Sequence, residues 1–309
     1  MEKVARKLVF FTIDPKSKRL KRFEEEAEAI NLDFCAFNSQ DVTVTNEGVF
    51  INNKKITFNK GDIVWFIANP TINHYLIRYL NEKYKKELVI WPNNNAIDIS
   101  NKYQASVFFD RIGVKTPKTV LINSFKEEQL GKIVEEHLGG FPCIIKSCRG
   151  SMGKNVELVN NVIEAISFMD NSVKTKIWIP FKASAFLFQE FIKESAGSDY
   201  RILCLNGKIL GAIRRTSQNG GFKANISLGG KAEIIEIDER MEDMAKKIIK
   251  EGDIFYAGID FIKKGNNFLA IEINTSSQFK GFEKATGINV AEKIIFNLLR
   301  KSDEIIGSS

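Results

Sequence analysis

The sequence is poor in cysteine, histidine and proline. It contains four cysteines, two histidines and six prolines among 309 residues. The cysteines form no CxxC pair, and no cysteine–histidine cluster has the spacing of a zinc site, so the sequence predicts no structural zinc centre. Thiols scattered among apolar neighbours favour a reduced, cytoplasmic protein. The scarcity of proline, with an ordinary 21 glycines, argues against a long disordered linker.

Long apolar runs and compact basic tracts are also lacking. The N-terminal run "LVFFTI" stops at Asp14-Pro15, too early for a signal peptide, and no run reaches the about 18 residues of a membrane span, so no membrane partner is expected. The net charge of +7 suits an anionic partner. The two short basic stretches, 16–22 and 83–86, are predicted to be solvated helix faces, which does not favour a nucleic-acid partner.

The order of strand-like and helix-like segments predicts a mixed fold. Residues 1–95 alternate between the two, which is typical of an α/β domain. Beyond Asn93-Asn94-Asn95, Ser100 is the expected N-cap of a helix that ends at Gly113. The last third is rich in strands and includes a hairpin that turns at Asn206-Gly207. The fold class expected is therefore α/β and α+β.

The stretch "FLAIEINTSSQF" (268–279) carries polar side chains in an apolar strand. Alternation places Leu269, Ile271 and Ile273 on one face, and Glu272 and Asn274 together on the other. A carboxylate and a carboxamide in such a strand require a partner, because buried polar groups cost free energy unless they are paired or bind a metal.

The preceding strand, "GIDFI", supplies a second carboxylate. If it pairs with 268–274 across the turn at Lys264–Asn267, Asp260 approaches Glu272 and Asn274 on one face. Two carboxylates and an amide oxygen form a hard oxygen site for Mg²⁺ or Mn²⁺, usually with nucleotide phosphates completing the shell. The alternative is a set of polar residues on an edge strand.

A glycine-containing loop follows another apolar strand. Lys146 ends the strand, and Gly150, Ser151 and Gly153 follow in the loop. Glycines allow backbone N–H groups to approach phosphates, and the lysine adds a positive charge. A surface hairpin with solvated lysines explains the pattern equally well.

Two further groups of residues carry binding potential. Gln189, Glu190 and Phe191 end an apolar strand whose free backbone groups can pair with an adenine edge, although a plain core strand also explains them. Charged and polar residues then cover adjacent strands and a loop, where they can face phosphate or carboxylate groups or form a salt-bridged sheet surface. These residues are Asp199, Arg201, Arg214, Arg215, Lys223 and Asn225.

The order of these elements resembles the ATP-grasp superfamily, and most of all its branch that modifies ribosomal protein S6, the RimK type. The resemblance covers about 96–300 and rests on "QEFIKESAGSDYR", "GFKANISLGG", "AGIDFI", "EINTSS" and "GFEKATGINVAEKI". It implies an ATP-grasp fold with an N-terminal pre-domain (1–95), a central ATP-binding subdomain (96–188) and a C-terminal subdomain with the metal site (189–309).

The resemblance also implies roles for single residues. Lys102 and Lys146 are expected to bind phosphate, Glu190 and Phe191 the adenine end, and Asp199 to lie near the ribose. Two residues of the other subdomain, Lys223 and Asn225, are expected to reach the nucleotide. Asp260, Glu272 and Asn274 are the implied ligands of two Mg²⁺ or Mn²⁺ ions, and Arg215, with Arg214 beside it, is the implied catalytic arginine.

The implied reaction joins a carboxylate to an amine through an acylphosphate, with release of ADP and phosphate. The partners expected are an amino acid and a small molecule, peptide or protein terminus, and a homo-oligomer is left open. The sequence departs from the RimK pattern at Ser227-Leu228 and at Ser276-Ser277-Gln278, which argues against ribosomal protein S6 as the substrate. The alternatives are a graspetide-type peptide macrocyclase, suggested by "VWFIANP" (64–70), and a non-catalytic ATP-binding regulator.

Overall fold

The computed structural model describes residues 6–67, 71–123, 126–148, 155–174, 185–218, 220–224 and 230–307. Strands and helices alternate throughout these ranges. In chain order they are β1 (Lys7–Thr12), α1 (Lys18–Ala29), β2 (Asp33–Asn38), β3 (Val42–Thr45), β4 (Gly48–Ile51), β5 (Lys54–Ile56), β6 (Ile63–Phe66), α2 (Thr71–Lys83), β7 (Val89–Trp91), α3 (Asn94–Ile99), α4 (Lys102–Arg111), β8 (Thr119–Ile122), α5 (Glu127–Leu138), β9 (Cys143–Ser147), β10 (Val156–Val159), α6 (Val162–Lys174), β11 (Phe186–Glu190), β12 (Ser198–Leu205), β13 (Lys208–Thr216), β14 (Lys231–Ile235), α7 (Glu239–Glu251), β15 (Tyr256–Lys264), β16 (Asn267–Asn274), α8 (Lys280–Thr286) and α9 (Val290–Gly307).

The first sheet is parallel and has the order β2-β1-β6-β7. Strand β1 is central, and its residues Leu8–Phe11 are completely buried, as expected for a parallel strand covered on both faces. A small antiparallel sheet, β3-β4-β5, packs against this unit. Its Val49 belongs to the same hydrophobic cluster as Val9, Phe11 and Val64 of the parallel sheet. The α/β character predicted for the N-terminal region is confirmed.

The second large sheet is antiparallel and has the order β10-β9-β11-β8. Helices α5 and α6 cover it and complete a hydrophobic cluster of its own. Helix α5 ends at Gly139, whose φ of 83° is the left-handed conformation that favours glycine at a helix C-terminus. This layer therefore has a core separate from the rest of the chain.

The third large sheet is antiparallel, with the order β14-β13-β12-β15-β16. The hairpin β12–β13 turns at Asn206 and Gly207, which have φ values of 50° and 77°, as a two-residue turn with positive φ at both positions requires. The hairpin β15–β16 pairs the two strands that carry the predicted metal ligands.

One hydrophobic cluster joins the parallel sheet to the third sheet. It includes Phe10, Trp65 and Trp91 from the first unit together with Phe255 and Tyr256 from the third. Residues of α3 and α4 also pack in this cluster rather than in that of the second sheet. The divisions expected after residues 95 and 188 fall inside α3 and inside β11.

Two local predictions differ from the structure. Ser100 ends α3 as its C-cap, and the N-cap of α4 is Asn101, whose side chain accepts hydrogen bonds from two backbone N–H groups of the first turn. Strict alternation in β16 is also wrong, because the register shifts between Asp260 and Phe261 and leaves Ile271 unpaired and only partly buried. In the described ranges, no helix is long and apolar enough to cross a membrane.

Candidate active site

The hairpin β15–β16 brings the predicted metal ligands together. Asp260 lies directly opposite Glu272 in the antiparallel register. The Asn274 amide, two residues further along β16, donates to Glu272 Oε1 at 3.0 Å and to Asp260 Oδ2 at 3.2 Å. The approach expected from the sequence is confirmed, because the register shift at Ile271 still leaves Glu272 and Asn274 on the face of Asp260.

Two arginines, one on β12 and one on β13, bind Asp260, and the second also binds Asp199. Arg201 binds Asp260 with two hydrogen bonds of 2.6 Å through its Nε and Nη2 atoms. Arg215 binds Asp199 through the same two atoms at 2.5 and 2.7 Å, and also donates to Asp260 Oδ2 at 3.0 Å. Arg215 and Asp260 are 3% and 1% exposed. These arginines and carboxylates therefore form salt bridges, but the salt bridges lie in a buried charged cluster and not on an exposed surface of the sheet.

Gly258 leaves room for this cluster on the same face of β15. A Cβ atom added there would lie 2.5 Å from the Ser277 hydroxyl and 3.1 Å from the Arg201 side chain. Since real Cβ contacts are longer than this, a larger residue would displace the arginine from Asp260. Glycine is needed here for close approach.

Two lysines face the cluster from other elements. Lys102, in the first turn of α4, lies 3.7 Å from Glu272 Oε2. Lys146, on β9, donates to the Gln189 side-chain oxygen at 2.8 Å, and Gln189 donates in turn to the Thr119 hydroxyl at 2.9 Å. Lys146 is only 6% exposed, so the alternative of a solvated surface lysine is wrong.

The pKa values reflect burial and these contacts. Burial opposes ionisation of Glu272, but Lys102 and the hydrogen bonds around the carboxyl outweigh it and hold its pKa well below the usual value. Burial raises the pKa of Asp260, although Arg201 and Arg215 act in the opposite direction. Burial lowers the pKa of Lys146 to about 8. The site therefore holds a lysine that loses its proton more readily than an exposed lysine does.

Several predicted residues do not join the cluster. Arg214 lies on the opposite, exposed face of β13, because neighbouring side chains on a strand alternate, and it donates to the Ser198 hydroxyl. The Glu190 N–H donates to Lys118 O at 2.9 Å and its carboxylate pairs with Lys264. Strand pairing ends at Glu190, so the peptide groups of Phe191 lie beyond the ladder.

The remaining predicted residues belong to the loops. Lys223 is partly buried, and its ammonium group lies 5.4 Å from the centre of the Phe222 ring. Four predicted positions fall outside the described residues: Gly150, Ser151, Gly153 and Asn225.

The sequence interpretation missed how the segment after Asn274 is held. Its backbone oxygens accept hydrogen bonds from the Trp91 indole (to Thr275 O, 3.0 Å), from Arg19 (to Ser276 O, 2.8 Å) and from the Tyr256 hydroxyl (to Ser277 O, 2.9 Å). Trp91 and Arg19 belong to the N-terminal unit. The basic tract that contains Arg19 was predicted to be solvated, and no pattern in the sequence distinguishes Arg19 from its neighbours.

The donor set fits a hard divalent cation. Asp260 and Glu272 offer carboxylate oxygens, and Asn274 offers a carboxamide oxygen when its amide turns that atom towards them. Within the described residues, no three His, Cys, Asp or Glu side chains are grouped for a metal. A cation bound here would therefore take part of its coordination shell from a ligand such as phosphate.

Comparison with known proteins identifies the family of the chain. A family model for the RimK-like ATP-grasp domain matches residues 99–298. A probable alpha-L-glutamate ligase of Legionella pneumophila (strain Corby) is 29% identical over 316 residues, which covers 97% of each chain. Another, from Cellvibrio japonicus, is 31% identical over 196 residues and covers 63% of this chain and 62% of its own.

Solved structures share the fold. The RimK domain protein from Sphaerobacter thermophilus has a TM-score of 0.68 at 16% identity, with 94% of this chain and 98% of that chain covered. The ATP-grasp ligase PsnB, in complex with a phosphomimetic variant of minimal precursor, Mg and ADP, has a TM-score of 0.66 at 15% identity, with 97% and 100% covered. D-alanyl-alanine synthetase A from Vibrio cholerae has a TM-score of 0.64 at 12% identity, with 97% and 99% covered.

The fold and the family match together define an ATP-grasp ligase. The chain belongs to the RimK-like ATP-grasp domain family.

Proposed function

We propose that the protein is an ATP- and Mg-dependent ligase that joins a carboxylate to an amine. In the first step a substrate carboxylate oxygen attacks the γ-phosphorus of ATP, and the bond to the β,γ-bridging oxygen breaks to give an acylphosphate and ADP. In the second step the amine attacks the acyl carbon, phosphate leaves, and the amine loses a proton to give an amide. Mg²⁺, when bound, neutralises the phosphate charge.

One observation carries this proposal. The Asp260–Glu272–Asn274 oxygen cluster lies within reach of four cations from separate elements, and these cations converge from two different sheets and α4. Such a site can hold a nucleotide phosphate and a divalent cation together. The cations are Lys102, Lys146, Arg201 and Arg215.

Each side chain has a task in this proposal. Lys146 and Lys102 bind phosphate oxygens. Asp260, Glu272 and Asn274 together hold two Mg²⁺ ions. Arg215, already oriented by Asp199, neutralises the transferring phosphoryl group. The backbone beyond Glu190 receives the adenine. No side-chain nucleophile is needed, because positioning and charge neutralisation account for both steps.

We propose that an amino acid supplies the amine, with glutamate as the first candidate. The support is the relationship to probable alpha-L-glutamate ligases over nearly the whole chain. The peptide macrocyclase alternative rests on "VWFIANP" (64–70), of which residues 68–70 lie outside the described residues. Its Trp65 is 2% exposed and packs against Phe10, Trp91 and Tyr256 as part of the core. Its position therefore gives no argument for a peptide substrate.

Replacement of Glu272 tests the proposal. Glu272→Gln keeps the shape of the side chain but removes a metal-binding charge, so we expect at least about a 100-fold loss of ADP release with Mg-ATP and substrate. A matched control is Glu233→Gln, because Glu233 is an exposed carboxylate paired with Lys231 on β14. Products are identified by mass spectrometry as the sum of the two partners minus water. Near-normal turnover in Glu272→Gln, with the control also normal, would contradict the metal role.

A further inference from the structure

Arg19 lies between the N-terminal unit and the segment that follows the metal-binding Asn274. It is the second residue of α1, and its Nη1 atom donates to Ser276 O at 2.8 Å. The contact bridges 257 positions of the sequence. The first helix of the chain therefore places a guanidinium group beside the end of β16.

The opposite edge of this guanidinium is unpaired. Its Nε atom is buried without a hydrogen-bond partner, and Nη2 donates to no described residue. Arg201 and Arg215 each use this Nε–Nη2 edge to bind a carboxylate through two hydrogen bonds. The same edge of Arg19 has the geometry for a carboxylate and, among the described residues, has none.

Arg19 also lacks a counter-ion. No described Asp or Glu forms an ion pair with it, whereas Arg22, one turn later on α1, pairs with Glu25 and Glu26. Burial lowers the pKa of Arg19 to about 10, so the group is still charged at neutral pH. A buried cation without a counter-ion costs free energy, which an incoming anion would recover.

The surroundings of Arg19 favour an anion as well. The first turn of α1 contains no acidic residue, although the N-terminus of a helix attracts negative charge. Two lysines, Lys16 and Lys18, lie at this end of the helix instead. Thr275, on the segment that Arg19 contacts, has a buried hydroxyl without a hydrogen-bond partner. Buried polar groups without a hydrogen-bond partner are expected at binding sites, where a ligand can pair with them.

Arg19 is also well placed relative to the proposed chemistry. Ser276 is two residues beyond Asn274, so their Cα atoms are at most about 7 Å apart. An α-amino acid carries its amine and its carboxylate on one carbon. If the amine attacks beside the metal ligands, its carboxylate lies close to the segment that Arg19 contacts.

We propose that the Nε–Nη2 edge of Arg19 binds the α-carboxylate of the amino acid that supplies the amine. Arg19 is then a specificity-determining residue contributed by the N-terminal unit, and it excludes amines that lack a neighbouring carboxylate. The inference rests on the proposed function and names the part of the chain that selects its second substrate.

Equilibrium binding tests the inference without requiring turnover. Binding of L-glutamate and of its α-amide is measured by isothermal titration to the full chain, in the presence of Mg²⁺ and a non-hydrolysable ATP analogue. The other L-amino acids and their α-amides follow as a panel. We expect the wild-type chain to bind at least one acid at least about 30-fold more tightly than its amide. In Arg19→Gln we expect that ratio to fall below about threefold.

A matched variant separates carboxylate binding from support of the backbone. Trp91→Phe removes the other hydrogen bond from the N-terminal unit to the same segment, so it weakens the support but leaves the Arg19 edge intact. We expect this variant to keep the preference for the acid. Arg19→Lys, which keeps the charge but not the two-pronged edge, should retain only part of the preference. Thermal unfolding confirms that each variant is folded.

The outcomes are decisive in both directions. Equal acid-to-amide ratios in the wild type and Arg19→Gln overturn the inference, as does a wild-type chain that binds none of the amino acids. Loss of the preference in Trp91→Phe as well as in Arg19→Gln also overturns it, because the role of Arg19 is then structural. Selective binding without ADP release under turnover conditions would contradict the proposed reaction and leave the carboxylate site of Arg19 supported.

Discussion

Lys146 gives a quantitative prediction about nucleotide binding. Its ammonium group is buried, and its side-chain contact is with the neutral Gln189 amide rather than a carboxylate. Burial lowers its pKa from 10.5 to about 8, with Glu272 acting to raise it and Lys102 to lower it. If Lys146 binds phosphate as a cation, ATP affinity must decline as the pH rises above about 8.

The magnitude follows from the fraction of charged lysine. At pH 9 a group with a pKa of 8 is about one-eleventh protonated, so the apparent dissociation constant for ATP rises about tenfold relative to neutral pH, where most of the lysine is charged. The same group affects stability. Its folded pKa lies below its unfolded pKa, so the unfolded chain binds more protons between about pH 8 and 10.5, and stability rises with pH across that window. The full effect is about 3 kcal/mol.

The assay is titration of a non-hydrolysable ATP analogue at a series of pH values from 7.5 to 9.5. Lys146→Arg is the matched control, because arginine stays charged throughout this range. We expect its affinity to be weaker overall but nearly independent of pH. In parallel, Lys146→Met should lose the rise in stability between pH 8 and 10.5 that the wild-type chain shows in denaturant titrations.

Two results would refute this reasoning. A wild-type affinity that stays constant up to pH 9.5 would mean that the charge of Lys146 is not needed, or that burial does not lower its pKa. A parallel decline in Lys146→Arg would assign the pH dependence to another group.

Three further predictions concern the cluster and the core. Arg215→Ala leaves two buried carboxylates without this cation and should destabilise the chain by about 3–5 kcal/mol, so Arg215→Lys is the informative variant. We expect Arg215→Lys to stay folded and keep its ATP affinity, with about a 100-fold loss of turnover measured by ADP release. Equal losses of turnover and of ATP affinity would contradict a catalytic role. Gly258→Ala should lower stability by about 1–3 kcal/mol in chemical denaturation and reduce turnover. The control is Gly131→Ala in α5, where the added Cβ meets only Val162 at 3.4 Å, and it should be neutral or stabilising by up to about 1 kcal/mol. Burial raises the pKa of Cys143 and of Cys204 to about 12, so iodoacetamide followed by mass spectrometry should label these two thiols only after unfolding, and labelling in the native state would contradict their burial.

Much of the fold could be predicted because local signals agreed with the final packing. The parallel strands β1 and β6 are apolar runs, and the Asn206-Gly207 turn fixes the β12–β13 hairpin through its positive φ values. The convergence of Asp260, Glu272 and Asn274, the proposed metal ligands, followed from the same kind of argument, since a hairpin and side-chain alternation suffice to bring them together. The short helices α3 and α8 were missed because six or seven residues carry too little periodicity.

Other features depended on tertiary structure that no local pattern records. Alternation permits either Arg214 or Arg215 to face the site, and the sheet decides for Arg215. The register shift at Ile271 has no signal in the strand itself. Ser100 and Asn101 are both good caps, and the existence of α3 decides between them. Arg19 was grouped with solvated lysines because its contact partner, Ser276, lies 257 residues away.

The buried cluster also explains how three carboxylates share one site within a single protein chain. Each has a cation from a different element: Arg215 for Asp199, Arg201 for Asp260, and Lys102 for Glu272. The contacts of Asp260 and Glu272 differ in strength, however. Both oxygens of Asp260 accept short hydrogen bonds from arginine, whereas the cation of Glu272 is 3.7 Å away, beyond hydrogen-bond distance.

The two carboxylates therefore differ in what they can still bind. Asp260 is engaged mainly in holding Arg201 and Arg215 in place, so its charge fixes the geometry of the cations that surround the site. Glu272 accepts a hydrogen bond from the Asn274 amide, and its nearest cation, Lys102, is 3.7 Å away, so it keeps more of its coordination capacity for an incoming cation. Because the same chain supplies the cations that balance these charges, the site can fold without a metal and still present an oxygen ligand to one. This is why the test of the metal role uses Glu272 and not Asp260: replacing Asp260 would release two buried arginines and confuse loss of a ligand with loss of the fold.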